Sequence, residues 1–426
     1  MSSNPSAVSN EDATPMSMGP ITLFDKSALQ NLNVDEAVWF NNFYRANTTP
    51  LFFIETLADL EKEIAKGRTP EQVVGNLALK TPVLGAFPNV YHETLYINDL
   101  MGRHVEMRCV PVIAGGRPIS TDKQKGIFYD QPPELDALAR WEREDFLGVE
   151  RSFARQWREA LSVLDLRQNM QSLGVGSARI NNLADARTWA VRAVRGDGRR
   201  YVALKSALEM LSVPEQLHSP IIDRWKKADG PSLPDFAPYA AHVFTIDVFF
   251  YLALGAGLIS PDRPSNRIDI AYLYYLPFCM VFVSTDKLHA RTASLFMGDE
   301  QAFVWGQDLK ADLAKLDAYY STLTAEVRER GVMKFASEPP DEGDFLTTRL
   351  WDRFLPGWRE RAKKGDRTLE DVGEAAILDA LKPMMDAAKR AGPPSQVDLG
   401  STDQVIISRR VPGRRGKWRL LPPEVE

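Results

Sequence analysis

The sequence predicts an α/β protein whose parallel-sheet core is interrupted by a large, mostly helical insertion and followed by a helical C-terminal extension. Three observations predict it. Two short apolar runs, Ile21-Thr22-Leu23-Phe24 and Val281-Phe282-Val283, lead into polar, acidic steps, Asp25-Lys26-Ser27 and Ser284-Thr285-Asp286. A strand that ends this way delivers a carboxylate to the carboxyl edge of a parallel sheet, where α/β proteins place their chemistry. The apolar, sheet-like style of the N-terminal part returns after residue 240, so the two blocks read as one core split by the stretch between them.

Residues 1–19 are polar, without a basic region followed by an apolar one, and read as a disordered leader rather than a signal peptide. Residues 20–80 form the first core block. Leu29, Leu32, Val38, Phe40 and Phe43 recur at mostly helical spacing. Pro50 is expected to end that unit, with Leu51-Phe52-Phe53-Ile54 as a second strand. A helix carrying Glu55, Asp59 and Glu61 follows, and Thr69-Pro70-Glu71 opens another through a capping threonine and a first-turn proline.

Residues 81–240 are the insertion: loop-rich with short strands to about 133, then helical over 135–167, 181–194 and 200–212, with Trp141, Phe146, Phe153 and Trp157 as core candidates. Residues 241–305 are the second core block. Within it Val243–Ile259 is apolar, but it is short for a membrane span and contains Asp247, so a buried core helix is expected. Asp247 then needs a partner, Arg267 or His242. Residues 306–392 form the helical extension, and 393–426 a basic Pro/Arg tail.

Composition narrows the class. The 426 residues are 44% hydrophobic and 26% charged, as in soluble globular proteins. Two cysteines and five scattered histidines make neither a disulfide framework nor a zinc pattern, which fits a reducing cytoplasmic setting. The net charge of −5 argues against non-specific coating of nucleic acid, though a local basic face remains open. No phosphate-cradling P-loop and no serine-hydrolase signature are present.

The acidic residues carry the chemistry. Asp25 and Asp286 close strands, Asp269 opens a helix seventeen positions before Asp286, and Glu55 and Asp59 share a helix face one turn apart. Each has a plainer reading: Asp25 and Asp269 as helix caps, Asp286 as a turn residue, Glu55 and Asp59 as solvated charges. Clustered carboxylates repel and raise one another's pKa unless a cation neutralises them, and hard oxygen donors select Mg²⁺ or Mn²⁺. Ser27 and Ser284 would orient the carboxylates. Arg263, Arg267, His289 and Arg291 lie close by as candidate substrate contacts.

In this order, Asp25-x-Ser27, an early-helix acid (Asp59, or Glu55), Asp269 and Ser284-Thr285-Asp286 resemble the motifs of PIN-like nucleases, with serine at 284 where threonine is commoner. The resemblance covers about 20–60 and 243–300, under a quarter of the chain. It implies a PIN-like core, Asp25, Asp59, Asp269 and Asp286 as catalytic residues, Glu55 with them as metal ligands, and Mg²⁺ or Mn²⁺ as cofactor. Arg267, His289 and Arg291 would bind substrate. The implied activity is endonucleolytic hydrolysis of a phosphodiester, RNA before DNA, leaving a 5′-phosphate.

Asn at 25 or 286 is expected to abolish cleavage while leaving folding intact. Partners would be nucleic acid, not membrane, with a homo-oligomer or protein contact through the insertion. The alternative is a non-catalytic PIN-like module that binds nucleic acid, with the tail contributing: Arg409, Arg410, Arg414, Arg415, Lys417 and Arg419 surround Trp418, a pattern suited to single strands. A phosphohydrolase acting on small substrates is a third, different class.

Overall fold

The computed structural model describes residues 19–423 except 114–115, 122–124, 130–132, 148–149, 151–179, 264, 364–381, 384–385, 388, 391–403 and 408–410. The expected leader (save Gly19), Phe153, Trp157 and Arg409-Arg410 lie outside the described residues. Gly19 itself is buried.

A five-stranded parallel sheet with order β3-β2-β1-β6-β7 organises the core. Its strands are β1 (Ile21–Phe24), β2 (Arg45–Thr48), β3 (Ala86–Pro88), β6 (Val281–Ser284) and β7 (Ala302–Trp305). β1 is fully buried, so it reads as a continuous apolar run rather than an alternating one. After β1 come α1 (Lys26–Asn31) and α2 (Val34–Phe43), and β2 is followed by α3 (Pro50–Ala58). The chain winds outward from β1 to β3 and then crosses to β6, on the other side of β1. That reversal makes a topological switch point between the carboxyl ends of β1 and β6, the place where open α/β sheets bind ligands.

Two expectations near the start need correction. Leu51–Ile54 is not a strand: it lies in α3, and Pro50 begins that helix instead of ending the previous unit. Proline suits the first helical turn, and the apolar run 51–54 has the length of either element, so periodicity alone misassigns it. The second strand is Arg45–Thr48, whose polar letters disguise buried Ala46, Asn47 and Thr48. The block boundary at 81 also moves, because β3 completes the sheet beside β2.

The insertion and the C-terminal part are joined to the core. β4 (Arg117–Ser120) and β5 (Lys125–Tyr129) pair with β8 (Gln404–Ile407) in a second sheet, so the chain's end returns to the insertion. The expected helices at 181–194 and 200–212 are present as Leu183–Arg195 and Arg200–Met210. Leu29, Leu32, Val38, Phe40, Phe43 and Trp141 are all buried, as their spacing requires. The helix Pro238–Gly255 is long and apolar enough to cross a membrane by length and composition, yet most of it lies inside the protein. It is the core helix of one hydrophobic cluster, through Phe244, Ile246, Phe249 and Phe250.

The tail is a structural element. β9 (Arg414–Arg415) and β10 (Trp418–Arg419) form a short hairpin. Trp418 is fully buried, 4.8 Å from Trp39 edge-on, and its Nε1–H donates to Asp317 at 2.7 Å. Arg415 donates to the Thr81 carbonyl at 2.6 Å and pairs with Glu142; Lys417 pairs with Asp317, and Arg414 with Glu329. A buried indole offers no face for base stacking, so the pattern that suggested single-strand binding instead fastens the chain's end to the core.

Candidate functional site

The site is built where β1 and β6 end side by side, with Phe24 opposite Val283. Asp25 leaves β1 and caps α1, accepting the Ala28 N–H at 2.8 Å. It accepts further bonds from Ser27 Oγ at 2.8 and 2.9 Å and from Ser284 Oγ at 2.7 Å, while His289 Nδ1 lies 3.3 Å away. Burial alone would raise this carboxyl. The hydrogen bond and charge of His289 and the bonds from Ser284 and Ala28 reverse that and hold it below its ordinary value. Ser27 and Ser284 thus hold Asp25 by hydrogen bonds. Ser27 also accepts from Thr285 N and Oγ1 at 3.0 and 2.8 Å, tying the two strand ends together.

His289 sits on the helix Lys287–Phe296 and is wholly buried. Its Nε2 faces the Asp269 carbonyl at 2.6 Å and must donate there. Its Nδ1 faces Ser284 Oγ at 2.8 Å, and that hydroxyl gives its proton to Asp25, so Nδ1 donates as well. Two donating nitrogens define an imidazolium. Burial works against the charge, but Asp25 and Asp269 outweigh it and push the ring up to about 9. A buried cation locked in this way is an internal counter-charge, which corrects its expected role as a substrate contact.

Lys26 is the residue that sequence reading missed. It follows Asp25 directly, yet it is only 4% exposed. The ammonium reaches α3, donates to the Glu55 carbonyl at 3.3 Å, lies 3.6 Å from the Glu55 carboxylate and pairs with Asp59. Burial would depress Lys26; Glu55 and Asp59 hold it above its usual value instead. Tyr272, also missed, donates to Glu55 Oε2 at 2.8 Å. Glu55 is raised by burial, with Asp25 and Asp59 adding to the effect against Lys26.

Asp269 lies in the helix Asn266–Ala271 and is half-buried. Burial first, then the charges of Glu55, Asp286 and Asp25 against that of His289, push its carboxyl up to about 8. Asp286 caps the helix Lys287–Phe296 through the Leu288 N–H at 2.6 Å, and its own N–H reaches Ser284 Oγ at 2.9 Å. Behind this corner Gly306 allows close approach: a Cβ there would lie 2.5 Å from Thr285 Cγ2. The capping and turn roles considered for Asp25 and Asp286 are therefore real, and they coexist with membership of the cluster.

Two expected contacts face elsewhere. Arg267 is bound to Asp247 at 2.8 Å and to the Tyr274 hydroxyl, which satisfies the buried Asp247 and removes Arg267 from the substrate set. Arg291 is exposed and donates to the Leu258 carbonyl at 3.2 Å.

The donor set suits a hard divalent cation in charge and chemistry. Burial, with the charges of Glu55, Asp286 and Asp25 added, pushes the Asp269 carboxyl up to about 8 despite His289, so negative charge gathers around it. As the side chains stand, among the described residues no group of three or more His, Cys, Asp or Glu is arranged to hold a metal ion. No family model, curated protein or solved structure matches the chain.

Proposed function

We propose that this cluster is a phosphodiester-cleaving centre of the PIN-like kind, dependent on Mg²⁺ or Mn²⁺ and acting on RNA before DNA. One observation carries the reading: acids from three separate stretches of chain, Asp25, Glu55 and the pair Asp269 and Asp286, gather at the sheet's switch point, where burial and then their charges push Asp269 up to about 8. Asp269, Asp286 and Glu55 would hold the ion beside Asp25. A bound divalent cation supplies an acidified water and charge neutralisation for the phosphodiester.

The chain's own groups do the positioning. Ser27, Ser284 and His289 fix Asp25; Tyr272 and Lys26 fix Glu55; the helix cap fixes Asp286. Asp269, whose carboxyl is pushed up to about 8 mainly by burial, would give up a proton on binding a cation. The test is cleavage of labelled RNA and DNA by purified protein with Mn²⁺, with EDTA, and with Asp286→Asn. Metal-dependent cutting that the substitution removes is expected. Cutting that persists in both EDTA and the variant overturns the reading.

A second reading is favoured by a specific feature: Lys26 and His289 already place two cations among the acids, and both Asp25 oxygens are occupied by hydrogen bonds. A PIN-like module that binds nucleic acid without cutting it would keep such counter-charges. Binding that survives EDTA, with no cleavage under any metal, would select it.

A further inference from the structure

We infer that the turn between the helices Leu183–Arg195 and Arg200–Met210, with the adjoining helix Glu215–Lys227, is a docking surface for single-stranded polynucleotide. From Arg187 to Lys205 there are six basic residues and one acid, Asp197, in a chain of net charge −5. Large apolar groups are exposed in the same stretch: Trp189 is 43%, Tyr201 44% and Val202 55% exposed. The helix Leu183–Arg195 buries Ala186, Ala190 and Val194, which leaves Trp189, Arg192 and Arg195 along its outer side.

The rings and the charges are interleaved. The Arg192 guanidinium lies 5.9 Å over the Trp189 ring. Tyr201 and Trp225 have ring centroids 5.8 Å apart, and the Trp225 Nε1–H donates to the Pro231 carbonyl at 2.8 Å, which fixes that indole. Together with Arg199, Arg200, Val202 and Asp229 they line an open groove of about 690 Å³. Arg195 and Arg199 are exposed and form no ion pair among the described residues.

A merely solvated helix face mixes both signs of charge and hides its aromatics. Here one sign dominates and the aromatics are presented, the combination that attracts phosphates and stacks unpaired bases. The side chains of Asp229 and Asp197 oppose an anion and leave the arginines in excess. The helix Leu183–Arg195 packs on the core helix Pro238–Gly255 and touches the helix capped by Asp286, so the surface is carried on the same framework as the acidic cluster. The inference rests on the nucleic-acid part of the proposed function and not on catalysis.

The test is fluorescence anisotropy of labelled single-stranded RNA and DNA with full-length protein, in EDTA, across a range of salt. Arg199→Glu/Arg200→Glu is expected to weaken binding at least about tenfold and to lower the salt slope by about 1.4. Tyr201→Ala is expected to weaken it at least about fivefold through lost stacking. Circular dichroism checks that each variant is folded. Unchanged affinity and slope in folded patch variants, or no oligonucleotide binding by the parent, overturns the inference. No cleavage by the parent under any metal, with patch-dependent binding intact, counts against the catalytic reading alone. A preference between RNA and DNA in the two arms identifies the strand that docks.

Discussion

Replacing Asp269 by Asn should stabilise the metal-free protein, and by an amount that grows with pH. The carboxyl titrates near 8 in the folded chain against 3.8 for the free side chain. A raised acid binds protons in the folded state that the unfolded state has lost. Its effect on stability is absent below the unfolded pKa and becomes increasingly unfavourable up to the folded one. At about 1.4 kcal/mol per pH unit the ceiling is roughly 6 kcal/mol above pH 8. Water reaching the half-buried side chain, and its freedom to turn outward on ionising, reduce this to about 2 kcal/mol. Urea unfolding in EDTA at about pH 5 and pH 8.5 measures it. The Asp269→Asn substitution should be near-neutral in effect at the lower pH and stabilising at the higher. Comparing the two proteins at each pH largely cancels what His289 contributes to both. A variant equal to or weaker than the parent at both values would refute the argument that this corner holds uncompensated negative charge.

Other perturbations probe the supports of the site. Asp25→Asn is expected to cost about 2–4 kcal/mol in thermal unfolding, since the amide turns one donor toward groups that already donate to both oxygens; this corrects the expectation that folding would be untouched. Lys26→Met should cost about 3 kcal/mol at pH 7 by leaving Glu55 and Asp59 uncompensated, and less in acid as they protonate, read from urea midpoints. His289, raised to about 9, contributes stability that is complete below about 6.5 and lost as pH rises to 9; His289→Gln should flatten that part of the stability curve. Trp418→Ala should cost about 3–5 kcal/mol in urea unfolding while leaving oligonucleotide affinity of the folded protein unchanged; weaker binding at full folding would restore the tail to a binding role.

The sheet and its carboxyl edge were legible because β1 and β6 advertise themselves: buried parallel strands are continuous apolar runs, and each here ends in Asp or Ser-Thr-Asp. β2 was not legible. Its residues Arg45-Ala46-Asn47-Thr48 are polar on paper, and their burial depends on neighbours such as the Phe278 carbonyl that Asn47 reaches at 2.7 Å, 231 positions away. The acids of the site could be named in advance, whereas their counter-charges could not. Whether Lys26 points out to water or back under α3 is decided by where α3 packs, and that is a tertiary fact. The tail failed for the same reason. Arginines around a tryptophan describe a nucleic-acid platform or a hairpin anchored by ion pairs equally well, until Trp39 and Asp317 supply the cavity.

The two internal cations bear on how the cluster works. Five acids, Asp25, Glu55, Asp59, Asp269 and Asp286, share Lys26 and His289. Lys26 is committed to the α3 acids and His289 to Asp25, so the side facing Asp269 and Asp286 is the one left negative. A purely structural polar core tends toward full compensation, because an unpaired buried charge is costly and an apolar replacement is available. Here compensation is partial: Glu55 and Asp59 share the single ammonium of Lys26, and Glu55 stays raised by burial. The remaining deficit includes half-buried Asp269, where it is relieved by a proton in isolation and is open to relief by a cation from solution.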